Sequence, residues 1–315
     1  MPAGTAWPAK LPFHGAAGLT LVAVAWPVSW LRVDTLGEYA FFPLWLGYVL
    51  TVDALVLRRK GTSLLSRNAT AFLGMFLASV PLWWVFEGIN HFTQNWHYVG
   101  DEEYSILRYV VVASLHFSTV IPAVFETTEL VGSFGLFKRF HRGPVVPISR
   151  RILAASMVLG LFSLVALVFW PRQAFPGTWL CLILLLDPIN HMTGQPSIVR
   201  TLRRGDWGVV TALCAGALVC GLFWEMWNFW AYPKWQYTIS FVDFARVFEM
   251  PLLGYGGYLP FGLETYVVYH FLAGLARNVP SVRLHVGGSR QPIELSQEAG
   301  SLNALTSDSV GSRNP

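Results

Sequence analysis

Charge is scarce in this chain. Asp, Glu, Lys and Arg make up 13% of 315 residues, against roughly a quarter in a soluble domain, and so few cannot cover a water-facing surface. Cysteine is nearly absent. Cys181, Cys214 and Cys220 all fall in apolar stretches, which suits packing better than disulfides or metal ligation. No His-x-x-x-His pair occurs, which argues against the many-histidine di-iron centre of membrane desaturases. No Asp-Asp-x-x-Asp cluster is present to hold magnesium on a diphosphate, and there is no phosphate-binding loop, dinucleotide fingerprint or Gly-x-Ser-x-Gly elbow. The apolar stretches carry almost no Lys or Arg and no arginine ladder, which excludes a voltage sensor and argues against anionic cargo at mid-depth. Neither a metal nor a cofactor is expected.

What the chain has in quantity is hydrophobic residues, 54% of the total. A bilayer-crossing helix needs about 20 predominantly apolar residues. Candidates are Gly15–Val33, Tyr39–Leu57, Ala69–Asn90, Ile106–Val131, Ile152–Trp170, Thr178–Asn190, Trp207–Trp230 and Tyr258–Gly274. The fold class expected is therefore an all-α integral membrane bundle with about eight crossings. The sixth span is short, and the eighth is preceded by a break at Pro251, Gly254, Gly256 and Gly257. Met1–Lys10 has a single cation and no small-residue cleavage site follows, so the first span reads as a retained helix. Most of the 14 tryptophans sit near span ends, the pattern of an interfacial belt. The polar stretch 279–315 reads as a disordered cytoplasmic tail.

Cations cluster after alternate spans: Arg58, Arg59 and Lys60 after the second, Lys138 and Arg139 after the fourth, Arg203 and Arg204 after the sixth. Eight crossings put every basic segment on one side. The positive-inside rule then places both termini in the cytoplasm of a cell membrane. The net charge of +4 is accounted for this way, without nucleic acid.

The acidic residues repeat. Glu225 and Asn228 follow Glu87 and Asn90 by 138 residues, and Pro260, Glu264 and Thr265 follow Pro122, Glu126 and Thr127 by the same interval. Trp179 and Asp187 follow Trp45 and Asp53 by 134. This divides the chain into four-helix units at 1–148 and 149–278. An even number of crossings per unit gives like-oriented halves, with a site expected at their interface.

Carboxylates in hydrocarbon are costly and mark functional sites by default. Glu87, Glu126, Glu225 and Glu264 are the expected catalytic acids. Glu87, Asn90 and His91 share one helix face, and a kink at Pro122 or Pro260 would leave carbonyls free beside Glu126 or Glu264. Trp84, Trp224, Asn90, Asn228, Asp53 and Glu249 are the expected substrate contacts, Glu249 because it leads into the glycine-rich break. Asp187 also suits capping of a short helix begun by Pro188. His116 lacks a counterpart in the other half and reads as a core histidine.

Acids among dry aromatic walls suit proton-initiated chemistry on a lipid or isoprenoid, in the style of terpenoid cyclases. The partner expected is a membrane lipid or hydrophobic small molecule. A small proton-coupled transporter and a non-catalytic membrane scaffold are the alternatives.

Overall fold

A computed structural model describes residues 10–276 and 281–287. The protein is mostly helical: α1 (Phe13–Trp30), α2 (Phe41–Lys60), α3 (Ala69–Thr93), α4 (Ile106–Phe117), α5 (Val120–Gly132), α6 (Arg150–Phe169), α7 (Cys181–Met192), α8 (Gly208–Trp230) and α9 (Tyr258–Leu275), joined by shorter turns. Strands β1 (Trp96–Val99) and β2 (Lys234–Tyr237) pair antiparallel, with Trp96 opposite Tyr237 and Tyr98 opposite Trp235.

Among the described residues, five helical stretches are long and apolar enough to cross a membrane: Phe41–Lys60, Ala69–Thr93, Ile106–Gly132, Arg150–Phe169 and Gly208–Trp230. They coincide with the second, third, fourth, fifth and seventh expected spans. The other three expected spans also fall on helices, of which α7 has only 12 residues.

Helix α1 packs on α2 and α6 on α7, while α5 and α9 lie against α8. The close approaches use glycine. A Cβ at Gly216 would sit 2.7 Å from Thr128 Oγ1 on α5, and one at Gly262 would sit 2.4 Å from the Leu213 carbonyl. Neither helix pair could stay at that separation with a larger residue, because backbone atoms face the missing side chain.

Three local expectations are corrected. Pro122 and Pro260 are third residues of α5 and α9, in the first helical turn. Pro260 therefore kinks nothing, whereas for Pro122 the interruption lies four residues earlier, where its missing N–H would have bonded, and neither oxygen of Glu126 is hydrogen-bonded to backbone freed there. The fourth span breaks at Ser118–Thr119, before Pro122. Asp187 does not cap a helix begun by Pro188, which lies inside α7. It accepts instead from the amides of Ile198 and Val199, at 2.7 and 2.8 Å, at the start of the next helical turn. Asp53 does the same work, accepting from Ser63 Oγ at 2.9 Å and the Leu65 amide at 3.0 Å.

The tail expectation is corrected for residues 281–287. Val282 and Val286 are buried, the Val282 amide donates to Tyr269 Oη at 2.8 Å, and the His285 amide donates to Glu129 at 2.8 Å. Two valines and satisfied amides seat this short segment despite its polar neighbours. Residues 277–280 and 288–315 lie outside the described residues.

Candidate functional site

Two asparagines build the framework. Asn90, at the end of α3, donates to the Trp96 carbonyl at 2.7 Å and accepts from the amides of Asn95 and Trp96. Asn228, near the end of α8, donates to the Trp235 carbonyl at 2.8 Å and accepts from the Trp235 amide at 2.9 Å. Each amide side chain thus fastens the strand that follows its helix. In the resulting register Trp96, Tyr98, Trp235 and Tyr237 project from one face of the two-stranded ribbon, because directly opposed residues share a face.

That face closes a cavity of about 440 Å³, within the size range of small-molecule sites. Its walls come from the ends of α3 and α8, from α4, from the 239–257 segment and from the start of α9. The rings form one continuous lining: Trp83 lies 6.4 Å from Trp96, Trp96 is stacked 6.4 Å from Trp179, and Trp224 is stacked 6.1 Å from Tyr258. Not every tryptophan near a span end faces outward. Trp45, Trp96, Trp224 and Trp227 are buried inside the protein, whereas Trp170 and Trp230 are exposed.

The polar edges of the lining converge on two carboxylates. Glu87 Oε1 accepts from Tyr98 Oη at 2.6 Å, Trp83 Nε1 at 2.9 Å and Trp96 Nε1 at 3.2 Å. Glu225 Oε1 accepts from Tyr258 Oη at 2.7 Å and Tyr237 Oη at 2.8 Å, and Trp235 Nε1 donates to Tyr237 Oη at 2.9 Å. The second oxygen of Glu225 is buried without a partner. Burial, with Glu87 beside it, holds the Tyr98 phenol well above its ordinary range, and burial with Glu225 does the same for Tyr237. Both phenols therefore stay protonated donors.

Of the ten residues singled out from sequence, Trp224 and Asn228 line this cavity, and Glu87 and Glu225 stand directly behind its rings. Asn90 holds β1. Trp84 donates to Ser114 Oγ at 3.0 Å and stacks its edge on Phe117. Glu249 forms an ion pair with Lys234, itself a lining residue. The remaining three are elsewhere. Asp53 caps a helical turn, with His14 Nε2 3.0 Å from Oδ2, the oxygen that also accepts from Ser63. Glu126 is fully buried with neither oxygen hydrogen-bonded, and Asp53 and Glu129 are its acidic neighbours. Glu264 accepts from the Leu182 amide at 3.3 Å. The four acids thus occupy separate places, and only Glu87 and Glu225 adjoin one cavity.

Several contributors went unseen in the sequence. Trp96-His97-Tyr98 and Trp235-Gln236-Tyr237 form a matched Trp-x-Tyr pair, six and seven residues after the paired asparagines. That spacing was available but is easily absorbed into a belt of interfacial aromatics. Tyr258 carried no signal beyond composition, and Trp179 stood out only as the counterpart of Trp45, 134 residues on. His116, read as a core histidine, lines the cavity, and its Nε2 has no hydrogen-bond partner.

Among the described residues no group of three or more His, Cys, Asp or Glu side chains could hold a metal ion. Compared with protein-family models, curated proteins and solved structures, the chain matches none of them.

Proposed function

We propose that this chain is an integral membrane enzyme that takes a lipid or isoprenoid-like molecule into the aromatic cavity and acts on it by acid catalysis. One observation carries the reading: an apolar, ring-lined cavity whose phenols lead back to a buried glutamate with one oxygen unpartnered. Glu225 is the proton store. When Oε1 takes up a proton the Tyr258 hydrogen bond reverses: the carboxylic acid donates to Tyr258 Oη, and the phenol, released from Glu225, gives its own proton to an alkene carbon in the cavity. A C–H bond forms as the O–H bond breaks, which leaves a carbocation and the Glu225 carboxylate. Loss of a proton from a neighbouring carbon restores the acid, so the reaction is a redox-neutral rearrangement. Glu87, whose single oxygen accepts three donors, serves as the fixed anion opposite.

Support for the wider architecture comes from matched detail. Asp53 and Asp187 cap equivalent turns, Asn90 and Asn228 fasten equivalent strands, and those strands pair with each other. On this reading the chain crosses a cell membrane eight times as two like-oriented units, with the cavity between them. The basic loops and both termini then face the cytoplasm.

A second reading is a binding protein without chemistry, favoured by the fact that neither glutamate itself lines the cavity. The two separate by experiment. Lipid extracts of cells producing wild type, Glu225→Gln and Tyr258→Phe are compared by mass spectrometry at matched protein level. The enzyme reading expects one lipid to accumulate and another to vanish in both variants. Identical lipid profiles across all three would remove it.

A further inference from the structure

Resting on the reading of the aromatic cavity as a small-molecule site, we propose that its ligand is a lipophilic cation: an apolar body bearing a compact, weakly hydrated positive centre of the quaternary-ammonium type.

The first argument is the direction in which the rings are held. The N–H edges of Trp83 and Trp96 and the hydroxyls of Tyr98, Tyr237 and Tyr258 are all drawn onto Glu87 or Glu225. While both carboxylates are ionised these polar edges are engaged behind the wall, and what the rings offer a ligand is carbon surface. An aromatic face carries the negative part of the ring quadrupole and attracts a cation. Donation from the opposite edge to a carboxylate pushes further electron density into the ring, since linked hydrogen bonds polarise one another.

The second argument is the sign of the surrounding charge. The partners of Glu87 are two indoles and a phenol, all neutral, so its negative charge is met by no cation in that set. Lys234, a lining cation, is already matched by Glu249, and Arg108 pairs with the lining carboxylate Glu38. Asp101, also in the lining, adds a further carboxylate. An anionic ligand would meet this field as repulsion, and a neutral hydrocarbon would gain nothing from it. A strongly hydrated ammonium would lose more water than the rings replace, whereas a methylated onium has little hydration to lose. The same field would stabilise positive charge that develops during a reaction.

The test measures binding to the purified full chain in a maltoside detergent, by equilibrium dialysis with empty micelles as blank. Three probes of similar size are compared: octyltrimethylammonium, its uncharged carbon isostere 2,2-dimethyldecane, and decanoate. The onium is expected to bind about tenfold or more tighter than the isostere, the scale of a desolvated cation–aromatic contact, with decanoate weakest. Glu87→Gln is expected to shrink that preference to within about threefold, Glu225→Gln to shrink it less, and Trp170→Phe, at an exposed position away from the cavity, to leave it unchanged. Equal binding of onium and isostere by wild type overturns the cation inference and leaves the cavity reading standing. Binding of no probe overturns both. Should Glu87→Gln fail to fold, the wild-type preference decides the question, and Trp83→Phe, which removes one tether to Glu87, is expected to weaken it.

Discussion

Two carboxylates at opposite ends of the helices, Glu129 fully buried and Glu87 half-buried, are compensated in opposite ways. Glu129, fully buried near the end of α5, is held by Arg67 and by Lys60 at 2.8 Å, with the His285 amide completing its shell. Glu87 meets only indoles and a phenol. A carboxylate matched by two cations has spent its charge on holding the fold together. One matched by neutral donors keeps a net negative field in a space that can admit something else. On the proposed reading, this contrast in compensation separates an acid that holds the fold from one that serves the cavity.

The largest expected effect tests the structural side. Glu129→Gln leaves Lys60 and Arg67 as part-buried cations without a counter-charge, and breaking a buried pair from one side costs about 3–5 kcal/mol. Its thermal midpoint in detergent should fall well below that of Glu87→Gln, whose neutral partners lose only the charge-assisted part of their hydrogen bonds, about 1–2 kcal/mol. Equal falls in the two variants would erase the distinction.

The next effect compares the two caps. Asp187→Ala strands the amides of Ile198 and Val199, and Asp53→Ala strands the Leu65 amide and the Ser63 hydroxyl. Each loss leaves two donors without a carboxylate, worth about 2–4 kcal/mol. Matching losses of stability would support equivalent roles for the two aspartates. A large excess at Asp53 would point to work beyond capping, through His14 or Glu126.

Both asparagines offer a smaller version of the same test. Asn90→Ala and Asn228→Ala each unfasten one strand at a cost of about 1–3 kcal/mol, and each should shift tryptophan emission, because Trp96 and Trp235 sit on those strands. Emission unchanged in either variant would mean that the ribbon is held by its own ladder.

Much of this was legible before any coordinates. The helical, membrane-suited character follows from low charge and long apolar runs, and the interval of 138 residues singled out Glu87, Asn90, Glu225 and Asn228 together. What pattern could not distinguish was the purpose of each pair. Asn90 and Asn228 repeat because a helix-to-strand junction needs a side chain that both donates and accepts. Asp53 and Asp187 repeat because a turn start needs its amides satisfied. Glu129 has Val267 at the corresponding position, so a search for repeats passed over it, and its partners lie 62 and 69 residues away in sequence. The cavity escaped for a similar reason: its rings come from distant segments, and a tryptophan near a span end looks the same whether it faces lipid or a ligand.

The smallest expected effect returns to the phenols behind the cavity. Burial, reinforced by Glu87, raises the Tyr98 phenol well above its ordinary value near 10, and Glu225 acts likewise on Tyr237. In the unfolded chain these groups lose their protons near pH 10, while in the folded chain they keep them. Their contribution to stability is therefore complete below pH 10 and is lost as pH rises from there toward the folded values. Unfolding midpoints between pH 9 and 11 should fall with increasing pH, and Tyr98→Phe should flatten the fall by up to one proton, about 1.4 kcal/mol per pH unit. Tyr237→Phe should flatten it by a similar amount, since each phenol is buried against a single glutamate. If only one of the two substitutions changes the slope, the two phenols are not held alike behind the cavity, and the match between the two strands fails at that point.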